Sequence, residues 1–134
     1  ADPHALPLAM AAMHAFHFIG SPEGELALAQ AAVYLATAPK SNAVYTAYNE
    51  VSKDVKKTGA LAVPMHLRNA PTRLMKDLGY GKEYRYPHDY PEAFIAEDYL
   101  PDKLRSRRYY YPTERGHELH IRERLKRWWK GKKG

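Results

Sequence analysis

Ser21-Pro22-Glu23-Gly24-Glu25-Leu26-Ala27-Leu28-Ala29-Gln30-Ala31-Ala32-Val33-Tyr34-Leu35-Ala36-Thr37-Ala38-Pro39 is the stretch that decides the fold. Ser21 can cap a helix, Pro22 suits its first position, and Pro39 cannot continue it, so the spacing predicts a helix ending at Ala38. Within it Ala29, Ala32, Val33 and Ala36 form a small-residue face suited to close packing. The apolar run from Leu26 to Ala38 contains Gln30 and falls short of the roughly 20 residues a membrane span needs. It therefore reads as a helix of a water-soluble bundle.

Working outward, the same start signal stands at Asp2-Pro3 and opens a first helix that Gly20 ends. Leu6, Met10, Met13 and His17 give it an apolar stripe, widened by Ala9 and Phe16. On the other side, Ser41 caps a third helix whose buried side is expected at Val44, Tyr48, Val51 and Val55. Lys53, Lys56 and Lys57 crowd its last turns, where they complement the helix dipole, and Gly59 closes it. These three helices make up residues 1–60.

From residue 61 the pattern changes. Val63-Pro64 reads as extended, and Pro71 to Leu78 as a short helix stopped by Gly79. Residues 80–112 hold eight of the eleven tyrosines and four prolines with little periodicity, so residues 61–112 read as an ordered strap. A last helix is expected from about Thr113 to Lys130, with Ile121, Leu125 and Trp128 as its apolar stripe. The resulting class is all-α: a helical bundle, an irregular Tyr/Pro-rich strap and a basic C-terminal helix, forming a single domain over residues 1–134.

The composition agrees with one globular domain of 134 residues, 45 % hydrophobic and 27 % charged. With no cysteine, a disulfide framework, a thiolate zinc site and a cysteine nucleophile are excluded. Ala1-Asp2-Pro3 lacks an initiator methionine and reads as the start of a fragment; Asp2 stands where a signal peptide would be basic. Net charge is +6 and unevenly spread. Residues 101–134 hold 12 Lys/Arg against four acids, a net of +8, which leaves −2 for the first 100 residues. Such asymmetry points to an anionic partner or to a solvated basic tail.

Catalytic and metal motifs are weak. Lys40-Ser41 lacks the glycines of a phosphate-binding loop and is explained as helix capping, and Gly79-Tyr80-Gly81-Lys82 is a helix stop. His117 and His120 stand three apart, where a zinc-protease helix needs four, and no third ligand is near in sequence. His14 and His17 read as core or interface residues. His88-Asp89 could pair as acid and base, but no nucleophile accompanies them, so a structural turn is the simpler reading. No catalytic, cofactor-binding or metal-binding residue is therefore assigned.

Arg105, Arg107 and Arg108 run into Tyr109-Tyr110-Tyr111, a basic-aromatic pattern suited to a nucleic-acid strand. Arg122, Arg124, Lys126, Arg127 and Lys130 extend the basic character along the last helix. These eight residues are the candidate DNA contacts. The alternative is that Tyr109 and Tyr111 pack inward while the arginines stay solvated.

Several long blocks carry a resemblance: Ala29-Gln30-Ala31-Ala32-Val33-Tyr34-Leu35-Ala36 with Ala38-Pro39-Lys40-Ser41-Asn42, and Val63-Pro64-Met65-His66-Leu67-Arg68-Asn69-Ala70-Pro71. Leu78-Gly79-Tyr80-Gly81-Lys82, Tyr86-Pro87-His88-Asp89, Tyr99-Leu100-Pro101 and Tyr109-Tyr110-Tyr111-Pro112-Thr113-Glu114-Arg115-Gly116 continue it in order. Together they resemble the C-terminal region of the replication-associated recombination protein A (RarA/MgsA) family of AAA+ ATPases, over the chain to about Leu125. The resemblance implies an all-helical module that assembles into tetramers, belonging to clamp-loader-like, DNA-dependent ATPases that act at stalled replication forks. ATP and Mg would bind upstream of this region, so no cofactor is expected here. Single-stranded-DNA-binding protein is an implied partner, and a bacterial cytoplasmic, nucleoid-associated location is implied. Asp2-Pro3 falls inside the family's domain, and Trp129 to Gly134 matches none of its pattern. Two readings follow: an oligomerisation and scaffold module without catalysis, or a module whose basic quarter contacts DNA directly.

Overall fold

Glycine, proline and small polar caps set the helix ends, as the punctuation of the sequence predicts. The computed structural model describes residues 1–129. Its α-helices are α1 (Ala5–Ile19), α2 (Glu25–Thr37), α3 (Ala43–Thr58), α4 (Arg73–Asp77) and α5 (Glu118–Trp129). Single 3-10 turns stand at Met65–Leu67, Pro87–Asp89, Pro91–Ala93 and Asp102–Leu104, and the described residues contain no strand. The class is all-α, as expected.

Local chemistry explains each boundary. Asp2 Oδ1 accepts the His4 backbone N–H at 2.9 Å, and a turn through Pro3 leads into α1. Gly20 (φ +80) ends α1, its N–H bonded to the Phe16 carbonyl. Ala38 is extended, as the residue before a proline must be, and stops α2. The Lys40 ammonium then donates to the carbonyls of Leu35, Ala36 and Ala38, covering α2's free C-terminal acceptors. Ser41 Oγ accepts the Ala43 N–H at 3.1 Å and caps α3. Thr72 does the same for α4, accepting from Met75 at 3.3 Å.

Several helix starts differ from the sequence reading: α1 begins at Ala5 rather than at Pro3 behind an Asp2 cap, and α4 begins at Arg73 rather than Pro71. α2 starts at Glu25, and the Ser21 hydroxyl donates to the Glu25 carboxylate at 2.6 Å rather than capping a backbone N–H. The last helix starts at Glu118 and not near Thr113. Gly116 lies in the left-handed region (φ +50), and Thr113 spends its N–H and hydroxyl on the Glu118 carboxylate, at 2.9 and 2.7 Å.

Contacts group the chain into two compact units. One comprises Ala1–Val44 and Tyr111–Glu123; the other comprises Tyr45–Tyr110 and the segment starting at Arg124. In the first unit, α1 and α2 meet through small residues: Ala12 and Ala31 are buried, and Gly24 lies against the backbone of Gly20 and Phe16. The buried Glu118 carboxylate also accepts the Ser41 hydroxyl at 2.8 Å, joining the start of α5 to the α2–α3 junction.

The second unit is held by side chains. Asp54, buried on α3, receives the Arg107 guanidinium in a two-pronged pair (3.0 Å at each prong) and the Tyr109 hydroxyl at 2.9 Å. Arg85 pairs with Glu97 at 3.1 Å, and Arg68 lies over the Tyr80 ring. Ile95 is the buried apolar residue of this region, at 5 % exposure.

The faces of the helices correct the sequence reading. Val44, Tyr48, Val51 and Val55, expected to be buried on α3, are exposed, Tyr48 by 70 %. Ala43 and Asp54 face inward instead. On α2 the inward residues are Ala27, Ala31 and Tyr34, whereas Ala29, Ala32, Val33 and Ala36 are exposed. On α1, Leu6, Met10, Met13 and His17 are exposed, and Leu8, Ala12 and Ala15 turn toward α2. The reason is steric. Close helix approach selects alanine at the contact, which rotates the bulkier stripe outward.

Candidate functional site

Two surfaces follow from this arrangement. The first is apolar and is built by regular helix spacing. On α3, Val44, Tyr48, Val51 and Val55 stand at intervals of four, three and four residues, so their side chains form one continuous ridge. Tyr45 beside them is 69 % exposed. On α1, Leu6, Met10 and Met13 form a similar ridge, and Phe18 at its end is 93 % exposed. A groove of about 470 Å³ runs between α1 and α2, lined by Leu8, Ala11, Ala12, Ala15, Ala27 and Ala31 among others. Runs of large exposed apolar residues of this kind mark interaction surfaces rather than ordinary solvent faces.

The second surface is basic, and the structure places its candidates unevenly. Arg105 faces Asp98 at 3.7 Å and Asp102 at 3.4 Å. Arg107 is committed to Asp54, and Arg122 pairs with Glu114. Arg127 lies 3.7 Å from Glu92. Arg124 lies over Trp128 at 5.9 Å and Arg108 over Trp129 at 4.4 Å from the ring centroids. Lys126 has no ion-pair partner among the described residues. Lys130 lies outside the described residues. Four of the candidates, Arg105, Arg107, Arg122 and Arg127, thus face a carboxylate.

Several groups gained their roles only in three dimensions. Asp54, which no motif of the sequence singles out, anchors residues 107–109. The signal in the sequence was its place eleven residues after Ala43 and seven after Ala47, on the small-residue side of α3. Its hydrogen bond, together with burial as the larger cause, raises the Tyr109 hydroxyl above the usual tyrosine pKa. In the first unit, the Tyr34 hydroxyl donates to Asp2 at 2.6 Å, which lowers the Asp2 carboxyl below its ordinary value.

His88 rests against the Tyr86 ring, and His117 against His120 with centroids 5.7 Å apart. Among the described residues no group of three or more His, Asp or Glu side chains is placed to hold a metal ion. No described helix is long and apolar enough to cross a membrane. A polar cleft of about 340 Å³ is lined by His66, Glu83, Arg85, Glu97, Asp98 and Arg105, and His66 Nε2 is buried there with no hydrogen-bond partner.

Comparison with known proteins shows what the chain is similar to. Residues 1–129 match the family described as MgsA AAA+ ATPase C terminal. Replication-associated recombination protein A of Coxiella burnetii is 60 % identical over 126 residues, covering 93 % of this chain and 29 % of that protein. The protein of the same name from Escherichia coli K12 is 54 % identical over 126 residues, covering 93 % of this chain and 28 % of that protein. ATPase WRNIP1 of Dictyostelium discoideum is 44 % identical over 111 residues, covering 82 % of this chain and 13 % of that protein. The chain thus spans less than a third of the length of these relatives.

Proposed function

This chain belongs to the MgsA AAA+ ATPase C-terminal family, and on that premise we propose that it is a non-catalytic oligomerisation and scaffold module of a replication and recombination ATPase. The observation that carries the reading is the outward placement of the large apolar side chains. Val44, Tyr48, Val51 and Val55 form a ridge that a helical core would normally hide, while alanines occupy the interior. A second copy of the chain supplies an equally apolar surface, which is how symmetric oligomers form. The assembly is a tetramer in this reading. ATP and magnesium bind elsewhere in the parent protein, since Lys40 and Ser41 are occupied with capping helices. Work on DNA at stalled forks, partnership with single-stranded-DNA-binding protein and a cytoplasmic, nucleoid-associated setting belong to the same reading of the parent.

Light scattering tests the reading on this chain and on a version extended upstream. Mass should rise with concentration, and Tyr48→Glu with Val51→Glu should restore the monomer while helix content stays unchanged. Strictly monomeric mass in both versions at millimolar concentration would overturn it. ATP with magnesium should give no heat of binding to this chain in calorimetry; micromolar binding would end the non-catalytic reading.

A second reading is carried by the charge of +8 in residues 101–134. In it, the basic quarter touches nucleic acid directly and non-specifically, through phosphate neutralisation. Salt-dependent retention of DNA by the chain tests this reading, and indifference to DNA at low salt would remove it.

A further inference from the structure

The two tryptophans at the end of α5 stand in different surroundings. Trp128 is fully engaged: Phe94 stacks on it at 4.6 Å with the rings 9° from parallel, and its indole N–H donates to Glu92 at 3.1 Å. Glu92 holds a left-handed backbone conformation (φ +59) where its carboxylate receives that donor. Trp129 is 42 % exposed, with the Arg108 guanidinium 4.4 Å from its ring centroid. No aromatic ring stacks on it among the described residues.

Helix geometry decides what lies beside each indole. Residues three or four apart are surface neighbours, so Lys126 adjoins Trp129, whereas Arg124 adjoins Trp128. Arg105, Arg107, Arg122 and Arg127 each face a carboxylate, which reduces the positive field they offer a phosphate. Lys126 is not offset in this way among the described residues.

We propose that Trp129, backed by Arg108 and flanked by Lys126, is a stacking platform for one base of a single-stranded nucleic acid. The proposal rests on the nucleic-acid reading given above and names its ligand class and its central residue. A guanidinium on one face of the indole leaves the opposite face for a planar π-system, and the ammonium one turn away is within reach of the adjoining phosphate. A duplex hides its base faces in its own stack, so the platform selects single strands. Base stacking tolerates any sequence, because every base has a π-face.

The test is fluorescence anisotropy on the full chain at low salt, with labelled oligothymidylate, oligouridylate and a duplex of equal length. Both single strands should bind more tightly than the duplex, since stacking uses the base face whatever the sugar. Trp129→Leu keeps apolar bulk but removes the ring, and should weaken single-strand binding roughly five- to a hundredfold. Trp129→Phe should recover most of that loss. Lys126→Ala should reduce the slope of log affinity against log salt by about 0.7, and Lys53→Ala, paired with Glu50 on α3, should leave it unchanged. If the parent binds single strands but Trp129→Leu binds equally well, the platform is wrong while the nucleic-acid reading stands. A preference for duplex also rejects the platform. If the parent binds no nucleic acid at low salt, both fall.

Discussion

The α1–α2 pair and the Tyr/Pro-rich strap solve the same problem by opposite means. The helix pair satisfies its backbone internally and needs only close approach, which Ala12, Ala31 and Gly24 provide. Its large side chains are left over and point outward. The strap has little regular structure, so its order comes from long side chains joined end to end: Arg107 and Tyr109 on Asp54, Arg85 on Glu97, Phe94 on Trp128. One region spends its small residues on the fold and keeps its large ones for a partner. The other spends its large residues on itself.

The sharpest way to break the first half of this contrast is Gly24→Val. A Cβ at Gly24 would lie 2.6 Å from the Gly20 carbonyl oxygen and 3.0 Å from Phe16 Cα, both backbone atoms with no rotamer to escape into. A loss of about 3 kcal/mol is expected, from overpacking against rigid neighbours. Denaturant midpoints measure it, and a loss below about 0.5 kcal/mol, the range of ordinary surface substitutions, would show that α1 and α2 are not closely apposed.

Asp54→Ala attacks the second half. Removing one partner of a well-buried pair costs about 3–5 kcal/mol. The Arg107 side chain, however, is 52 % exposed and regains water, so about 1–2 kcal/mol is expected here. Hydrogen exchange should accelerate in residues 105–110 and leave α1 and α2 protected; a uniform loss across the chain would deny the strap its own anchor.

The smallest effects are electrostatic. Tyr109 has its pKa raised, by burial first and by Asp54 second, so the folded state holds that proton more tightly. Its contribution is fully present below the unfolded tyrosine pKa of about 10 and is lost as pH rises through the folded value. Asp2 is lowered, chiefly by Tyr34, so its contribution holds above about pH 4 and fades as pH falls through the folded value. Ultraviolet titration should show two tyrosines ionising late, Tyr34 and Tyr109, and Asp54→Asn should bring only Tyr109 earlier. An unchanged titration would show that Asp54 does not hold Tyr109.

Helix ends were legible because they depend on neighbours in sequence. Gly20, Pro39, Ser41, Gly59 and Gly79 act within one turn of their own positions, and each stands at a helix boundary in the structure. The start of α5 was misplaced because Thr113 and Glu118 meet through a turn, with Gly116 in a left-handed conformation that no local pattern required. Helix faces were read wrongly for a different reason. Periodicity reveals that Val44, Tyr48, Val51 and Val55 share a side, but not what covers it. The basic candidates had the same weakness: charge can be counted along the chain, while the carboxylate beside Arg107 lies 53 residues away.

By itself, the sequence determined the all-α class, the stops of the first four helices and the family, because these rest on local stereochemistry and on long blocks of shared residues. Only the tertiary structure decided that alanines face inward and valines and tyrosines outward, that Asp54 anchors residues 107–109, and that Trp128 is occupied while Trp129 is half open. Those outcomes depend on which segments meet in space. Close approach and charge pairing are properties of pairs of surfaces, and neither surface carries the answer in its own stretch of sequence.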